Sequence, residues 1–274
     1  MFALWPAPEL LWIWGGLAGY AASAAAAGQR WSRRRSDGDL LVIIPLSIGV
    51  LLFAAAITHR WARVGHGPFL TLFEVLLSNL FSLGLLYALA YWRIPQIRPG
   101  AVVALPLLLV FGIWSLTASP EPIPLPATYD NYWLWVHVAT GKVFLAALLV
   151  AVGNACVLLL RGTEQRTQGR GSEIEALDAT AWRAVSIGFV FDTLMLIAGA
   201  AWARDAWGRF WAWDPLETWA FVTWLAIGVA LHLRVTYRLP AWAGCWMIVG
   251  MFVLAVLTFL GVPFVSVAVH KGVM

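Results

Sequence analysis

A chain of 274 residues, 61% of them hydrophobic and only 12% charged, with a mean hydropathy of +0.79, has too little polar surface to cover a water-soluble globule. Its net charge of +4 sets 16 arginines and two lysines against 14 acidic residues, and the basic ones are spread over many short loops with no basic helix, which argues against a nucleic-acid partner. Cys156 and Cys245 each sit in an apolar stretch without CxxC spacing, so neither a disulfide framework nor a dithiol-exchange centre is encoded.

Windows of roughly 20 apolar residues, the length that crosses a bilayer, predict eight spanning helices at about 9–27, 39–58, 69–91, 100–117, 131–160, 184–203, 216–236 and 242–268. The first apolar run is followed by Arg30, Arg33, Arg34 and Arg35, whereas a cleavable signal carries its positive charge in front, so a retained helix is expected. Alternation at barrel-strand length is missing, and a bilayer core admits only helices or closed barrels. The expected fold class is therefore all-α: a polytopic transmembrane helix bundle forming one integral membrane domain over residues 1–274.

Orientation follows from counting Lys and Arg in alternate loops. The set containing 28–38, 92–99, 161–183 and 234–241 carries 12, and the opposite set, with Arg60, Arg63, Lys142, Arg204, Arg209 and Lys271, carries 6. This predicts a cytoplasmic first set and both termini on the outer side. Four of the five histidines then fall toward the outer face: His59 and His66 between helices two and three, His137 in the outer turns of helix five, and His270 just past helix eight. His232, about 15 residues into helix seven, lies on the order of 22 Å of rise toward the cytoplasmic end. An ionisable group within a span is costly and usually marks function. Asp192 and Glu74, also within or near apolar runs, are open to two readings, a packing hydrogen bond or a polar path.

Between helices six and seven, on the outer face, residues 202–219 hold Trp202, Trp207, Trp211, Trp213 and Trp219 together with Arg204 and Arg209. Interfacial tryptophan belts are common, yet five in 18 residues exceed what anchoring needs. A flat aromatic surface edged by cations suits a large planar ligand bearing carboxylates, and porphyrin fits that description. Asp214, Pro215 and Glu217 are spaced as N-cap, first helical residue and capping-box partner of helix seven. Neutral imidazole is a haem axial ligand. On residues alone, His137 and His270 are either such a pair or polar interface residues.

The stretch from Trp207 to Trp224, Trp-Gly-Arg-Phe-Trp-Ala-Trp-Asp-Pro-Leu-Glu-Thr-Trp-Ala-Phe-Val-Thr-Trp, continues to Leu231-His232-Leu-Arg234. With Arg183-Ala-Val-Ser-Ile-Gly-Phe, Gly199-Ala-Ala-Trp202-Ala, Gly65-His66-Gly-Pro-Phe and Trp135-Val-His137-Val, it closely resembles the CcsA (ResC) family of system II cytochrome c biogenesis proteins, which carry a tryptophan-rich WWD motif. The resemblance runs from about residue 57 to the end. It implies eight helices in the bacterial cytoplasmic membrane and haem b (iron-protoporphyrin IX) held on the outer face by His137 and His270, beside Trp207, Trp211, Trp213 and Asp214. It further implies an inner haem site at His232, with the second ligand supplied by a CcsB (ResB) partner, and His66 as a lesser haem-binding candidate.

The implied role is haem transport and its attachment to apocytochrome c, as part of a holocytochrome c synthase complex that forms thioethers between haem vinyls and CxxCH thiols. A thioredoxin-like reductant is a further implied partner. Leu216 departs from the family, whose members often carry Lys after Asp-Pro, and residues 1–56 match no family motif. The rival expectations are a system I haem-handling protein of the CcmC or CcmF kind, and a small-molecule membrane transporter.

Overall fold

The computed structural model describes residues 9–33, 39–161, 171–237 and 239–265. Among them, eight helices are long and apolar enough to cross a membrane, so the protein is an all-helical integral membrane protein. They are α1 (Leu10–Arg33), α2 (Asp39–Val64), α3 (Leu72–Arg93), α4 (Ala101–Ser115, entered through a 3-10 turn at Pro95–Gly100), α5 (Tyr132–Arg161), α6 (Gly171–Trp207), α7 (Pro215–Thr236) and α8 (Ala241–Val256). A π-helical stretch, Leu257–Gly261, and one α turn, Val262–Val265, extend α8.

Hydropathy locates these spans but undercounts their ends. Helix α6 begins 13 residues before the expected position 184 and runs for 37 residues, about 55 Å at 1.5 Å per residue against a hydrocarbon core of about 30 Å. Its extra turns are polar and are fastened by Arg161 to Glu173 and by Arg234 to Asp178. Helix α2 continues to Val64, so His59 is an exposed residue of that helix and only His66 lies in the connection to α3. Lys142, counted above with the loops, is about three turns inside α5.

The chain forms two compact units. The first holds α1, α2, α3 and the chain from Leu105 to Pro124. Its helices α1 and α2 meet through small residues: a Cβ on Gly19 would lie 2.8 Å from the Pro45 carbonyl oxygen and 3.0 Å from the Gly49 Cα. Such contacts are how membrane helices gain packing when lipid offers no hydrophobic contrast. Tyr20 crosses this unit, donating to the Leu80 carbonyl at 2.6 Å over the open backbone of Gly84.

A buried ionic cluster closes one end of the first unit. Arg60, 1% exposed, donates from Nε and Nη2 to Glu74 Oε1 at 3.0 and 2.8 Å, and from Nη1 to Glu9 and the Pro120 carbonyl at 3.2 and 2.9 Å. Arg63 also pairs with Glu9. The other Glu74 oxygen accepts from the Leu70 and Thr71 amides while Thr71 Oγ1 accepts from the Glu74 amide, a capping box that starts α3. Glu74 is thus a packing and capping group, resolving one of the two readings open to it.

The second unit holds Arg93–Ala104 and Leu125–Lys271, with α5 and α6 as its central pair. Gly100 and Gly153 meet backbone to backbone, a Cβ on Gly153 falling 2.9 Å from the Gly100 carbonyl oxygen. Helix α8 packs on α5, with Phe144 and Phe259 edge to face at 5.8 Å. Asp192 of α6 is fully buried in this unit, and neither carboxylate oxygen has a hydrogen-bond partner among the described residues.

Candidate functional site

The tryptophan-rich segment is the end of α6, an irregular strap and the start of α7. Gly208, at φ 76°, ends α6 in the left-handed conformation that glycine adopts without strain. Asp214 caps α7: its Oδ1 accepts from the Glu217 amide at 2.8 Å, and Glu217 Oε2 accepts from the Ala212 amide at 2.6 Å. Asp214 takes the N-cap role its spacing predicts, whereas Glu217, spaced as its capping-box partner, reaches past the N-cap amide to that of Ala212 and so holds the strap; Leu216 follows as an ordinary first-turn residue. Loss of such a cap costs about 1 kcal/mol. Asp214→Ala is expected to lower the unfolding free energy in detergent by that amount, read from the shift of the unfolding midpoint, with Asp214→Asn restoring most of it.

Trp213 has φ 58°, a left-handed conformation that costs a bulky side chain roughly 1–2 kcal/mol. The sequence carries no sign of this, since no glycine marks the position. The strain turns the Trp213 ring outward, 67% exposed, against Trp211 at 5.7 Å and Phe221 at 6.1 Å. Phe221 stacks on Trp224 at 5.9 Å and Trp224 on Phe189 at 5.4 Å, so an aromatic column runs from the strap down between α6 and α7. Trp224 Nε1 donates to Thr193 Oγ1 at 2.9 Å, which fixes the column to α6.

On the α5 side, His137 is half-buried and its Nδ1 lies 2.9 Å from the Met195 carbonyl oxygen. A carbonyl can only accept, so Nδ1 carries the proton and the ring's lone pair is on Nε2. Trp202 lies beside the imidazole at 6.1 Å between ring centres and touches Trp207 at 5.0 Å and Tyr129 at 5.3 Å. Trp202 Nε1 donates to the Thr128 carbonyl at 2.8 Å, tying the loop before α5 to the end of α6. Burial pushes the Tyr129 phenol above its ordinary pKa. Arg204 lies over the Phe210 ring at 5.2 Å, and both Arg204 and Arg209 are exposed.

Within the second unit, contacts link His137 through Trp202 to Trp207, while Trp211 and Trp213 pack with Phe221 at the strap that Asp214 anchors by capping α7. His232 is elsewhere in that unit, exposed in the last turns of α7, with Nε2 3.5 Å from Thr236 Oγ1. His66 belongs to the first unit, buried, its ring nitrogens 3.0 and 3.1 Å from the carbonyl oxygens of Gly67 and Ile123, an arrangement that fastens the loop. His270 lies outside the described residues. Sequence reasoning missed the Met195 carbonyl that bonds the His137 ring and the nearness of Gly199 to it; the Gly199-Ala-Ala-Trp202 motif was the only trace of the latter.

Comparison with known proteins matches the family model described as "Cytochrome C assembly protein" over residues 43–270. The chain is 30% identical to the cytochrome c biogenesis protein CcsA of Prochlorococcus marinus (strain MIT 9312), covering 85% of this chain and 90% of that one. It is likewise 30% identical to the CcsA of Synechococcus sp. (strain CC9605), over 88% and 89% of the two chains. The CcsA of Chlamydomonas reinhardtii is 30% identical over 73% of this chain and 58% of its own. Among solved structures, cytochrome c heme lyase CcmF shares the fold with a TM-score of 0.68 at 20% identity, covering 95% of this chain, which spans only 48% of that one. On the family match and the CcsA relatives, the chain belongs to the cytochrome c assembly protein family, and within it to the CcsA proteins.

Proposed function

We propose that this protein holds haem b at the outer face of the bacterial cytoplasmic membrane and presents it for attachment to apocytochrome c. The single observation that carries the reading is the His137 imidazole, with its Nε2 lone pair set by the Met195 carbonyl, beside the aromatic wall that continues into the strap. Nitrogen donor, flat apolar surface and rim arginines match the three chemistries of the cargo: iron, macrocycle and propionates.

In this reading His137 and His270 would hold the haem iron through their imidazole nitrogens. Trp207, Trp211 and Trp213 cover the macrocycle, and Asp214 keeps the strap in register by capping α7. The chain's contribution is positioning, in keeping with proteins that orient a cofactor whose chemistry is its own. Each thiol of the CxxCH segment adds across a vinyl double bond: sulfur bonds one carbon, the thiol hydrogen ends on the other, and no group leaves. The thiols must arrive reduced, which calls for a thioredoxin-like reductant. His232, exposed near the other end of the unit, is assigned to an inner haem site completed by a ligand from a CcsB-type membrane partner.

The test is complementation. In a bacterial host lacking its own cytochrome c maturation genes, this chain with its CcsB-type partner is expected to yield a haem-staining reporter cytochrome c that survives denaturing electrophoresis. No covalent haem on a reporter that is synthesised and exported would overturn the reading.

A further inference from the structure

Helices α5 and α6 pack against each other with glycines facing bulky neighbours. Gly141 of α5 faces the Met195 sulfur, and Gly199 of α6 faces the His137 ring. A Cβ built on Gly199 would lie 2.8 Å from His137 Nδ1 and 3.1 Å from Cε1. In a regular helix the Met195 carbonyl already accepts from the amide of residue 199. A helical side chain leans toward the N-terminus and covers the turn before its own Cα. Any side chain at 199 therefore shields the second lone pair of that carbonyl. With glycine there, the imidazole lies on bare backbone and Nδ1 reaches the oxygen at 2.9 Å.

We propose that Gly199 is a positioning residue: by baring the Met195 carbonyl it fixes the tautomer and orientation of His137, and so makes Nε2 the iron-binding nitrogen. The inference rests on His137 being an iron ligand. The neighbouring hydroxyl does not compete, since Thr140 Oγ1 donates within α5, 2.8 Å from the Val136 carbonyl and 3.0 Å from that of His137. Trp202, one turn beyond Gly199, also borders the ring, at 6.1 Å between ring centres. A hydrogen bond from the distal nitrogen to a carbonyl makes the ligating nitrogen a stronger donor, which favours ferric over ferrous iron and lowers the midpoint potential of bound haem.

The experiment uses the full chain purified with its membrane partner from haem-replete cells. Gly199→Ala is compared with wild type, with His137→Ala, and with Gly250→Ala, a helical glycine whose Cβ would meet no atom within 4 Å. Gly199→Ala is expected to raise the midpoint potential and to lower haem retention several-fold, while Gly250→Ala matches wild type. A wild-type potential and spectrum in Gly199→Ala, alongside lost ligation in His137→Ala, would overturn the role of Gly199 alone. An unchanged spectrum in His137→Ala would overturn the ligand assignment itself.

A second measurement needs no substitution at 199. In His137→Gly, free imidazole can fill the vacated space and donate to the Met195 carbonyl, whereas 1-methylimidazole has no N–H to offer. Imidazole is expected to restore the low-spin spectrum at several-fold lower concentration. Equal concentrations for the two would show that the carbonyl contributes nothing.

Discussion

Arg60→Ala is expected to destabilise the protein by about 3–5 kcal/mol, the usual consequence of removing one partner from a buried ion pair. The guanidinium is 1% exposed and makes four hydrogen bonds, two to one oxygen of Glu74, one to Glu9 and one to the Pro120 carbonyl. Its removal leaves Glu74, itself 1% exposed, charged without a counterion at the start of α3. Lysine cannot substitute, because one ammonium does not reproduce a fork whose three nitrogens point at three groups. Pairing Arg60→Met with Glu74→Gln is expected to recover most of the loss: the amide oxygen still caps α3, Arg63 still pairs with Glu9, and no orphan charge remains at 74. Unfolding midpoints in detergent decide the matter. A single variant as stable as wild type would show that the cluster does not hold α1, α2 and α3 together.

The other large effect is at His137. His137→Ala removes an imidazole whose tautomer is set by a backbone carbonyl beside the aromatic wall. Losing a metal ligand is at least as severe as losing the group that orients it, which typically costs 10–100-fold in affinity or activity. The yield of mature reporter cytochrome is expected to fall at least tenfold while the variant accumulates to wild-type level, since the half-buried ring leaves a space that opens to the site. Added imidazole should return part of the activity. Undiminished cytochrome yield in His137→Ala would remove this residue from the reaction.

Much of this architecture was legible in the sequence for simple reasons. Spanning helices are fixed by the cost of bringing unpaired backbone groups into lipid, so hydropathy alone finds eight. The Asp214–Glu217 cap was equally legible, because capping is local and depends on spacing of three residues. The same signal, Thr71-x-x-Glu74, marks the start of α3 and explains why a carboxylate sits there.

What stayed hidden depends on contacts distant in sequence. Arg60 reads as a loop charge until Glu9, 51 residues away, and Glu74 are folded around it. The polar turns that begin α6 fall outside any hydropathy window because they lie beyond bilayer thickness. Trp213 gives no hint of its left-handed backbone, and the Met195 carbonyl has no side-chain signature at all, so only the fold reveals what orients His137.

Whether the second unit holds haem through His137 is read directly from the reduced and oxidised absorption spectra of the protein purified with its partner from haem-replete cells. Wild type is expected to carry a co-purifying six-coordinate, low-spin haem that is lost or becomes five-coordinate in His137→Ala. A colourless wild-type preparation, or a spectrum that His137→Ala leaves unchanged, would contradict haem binding through His137.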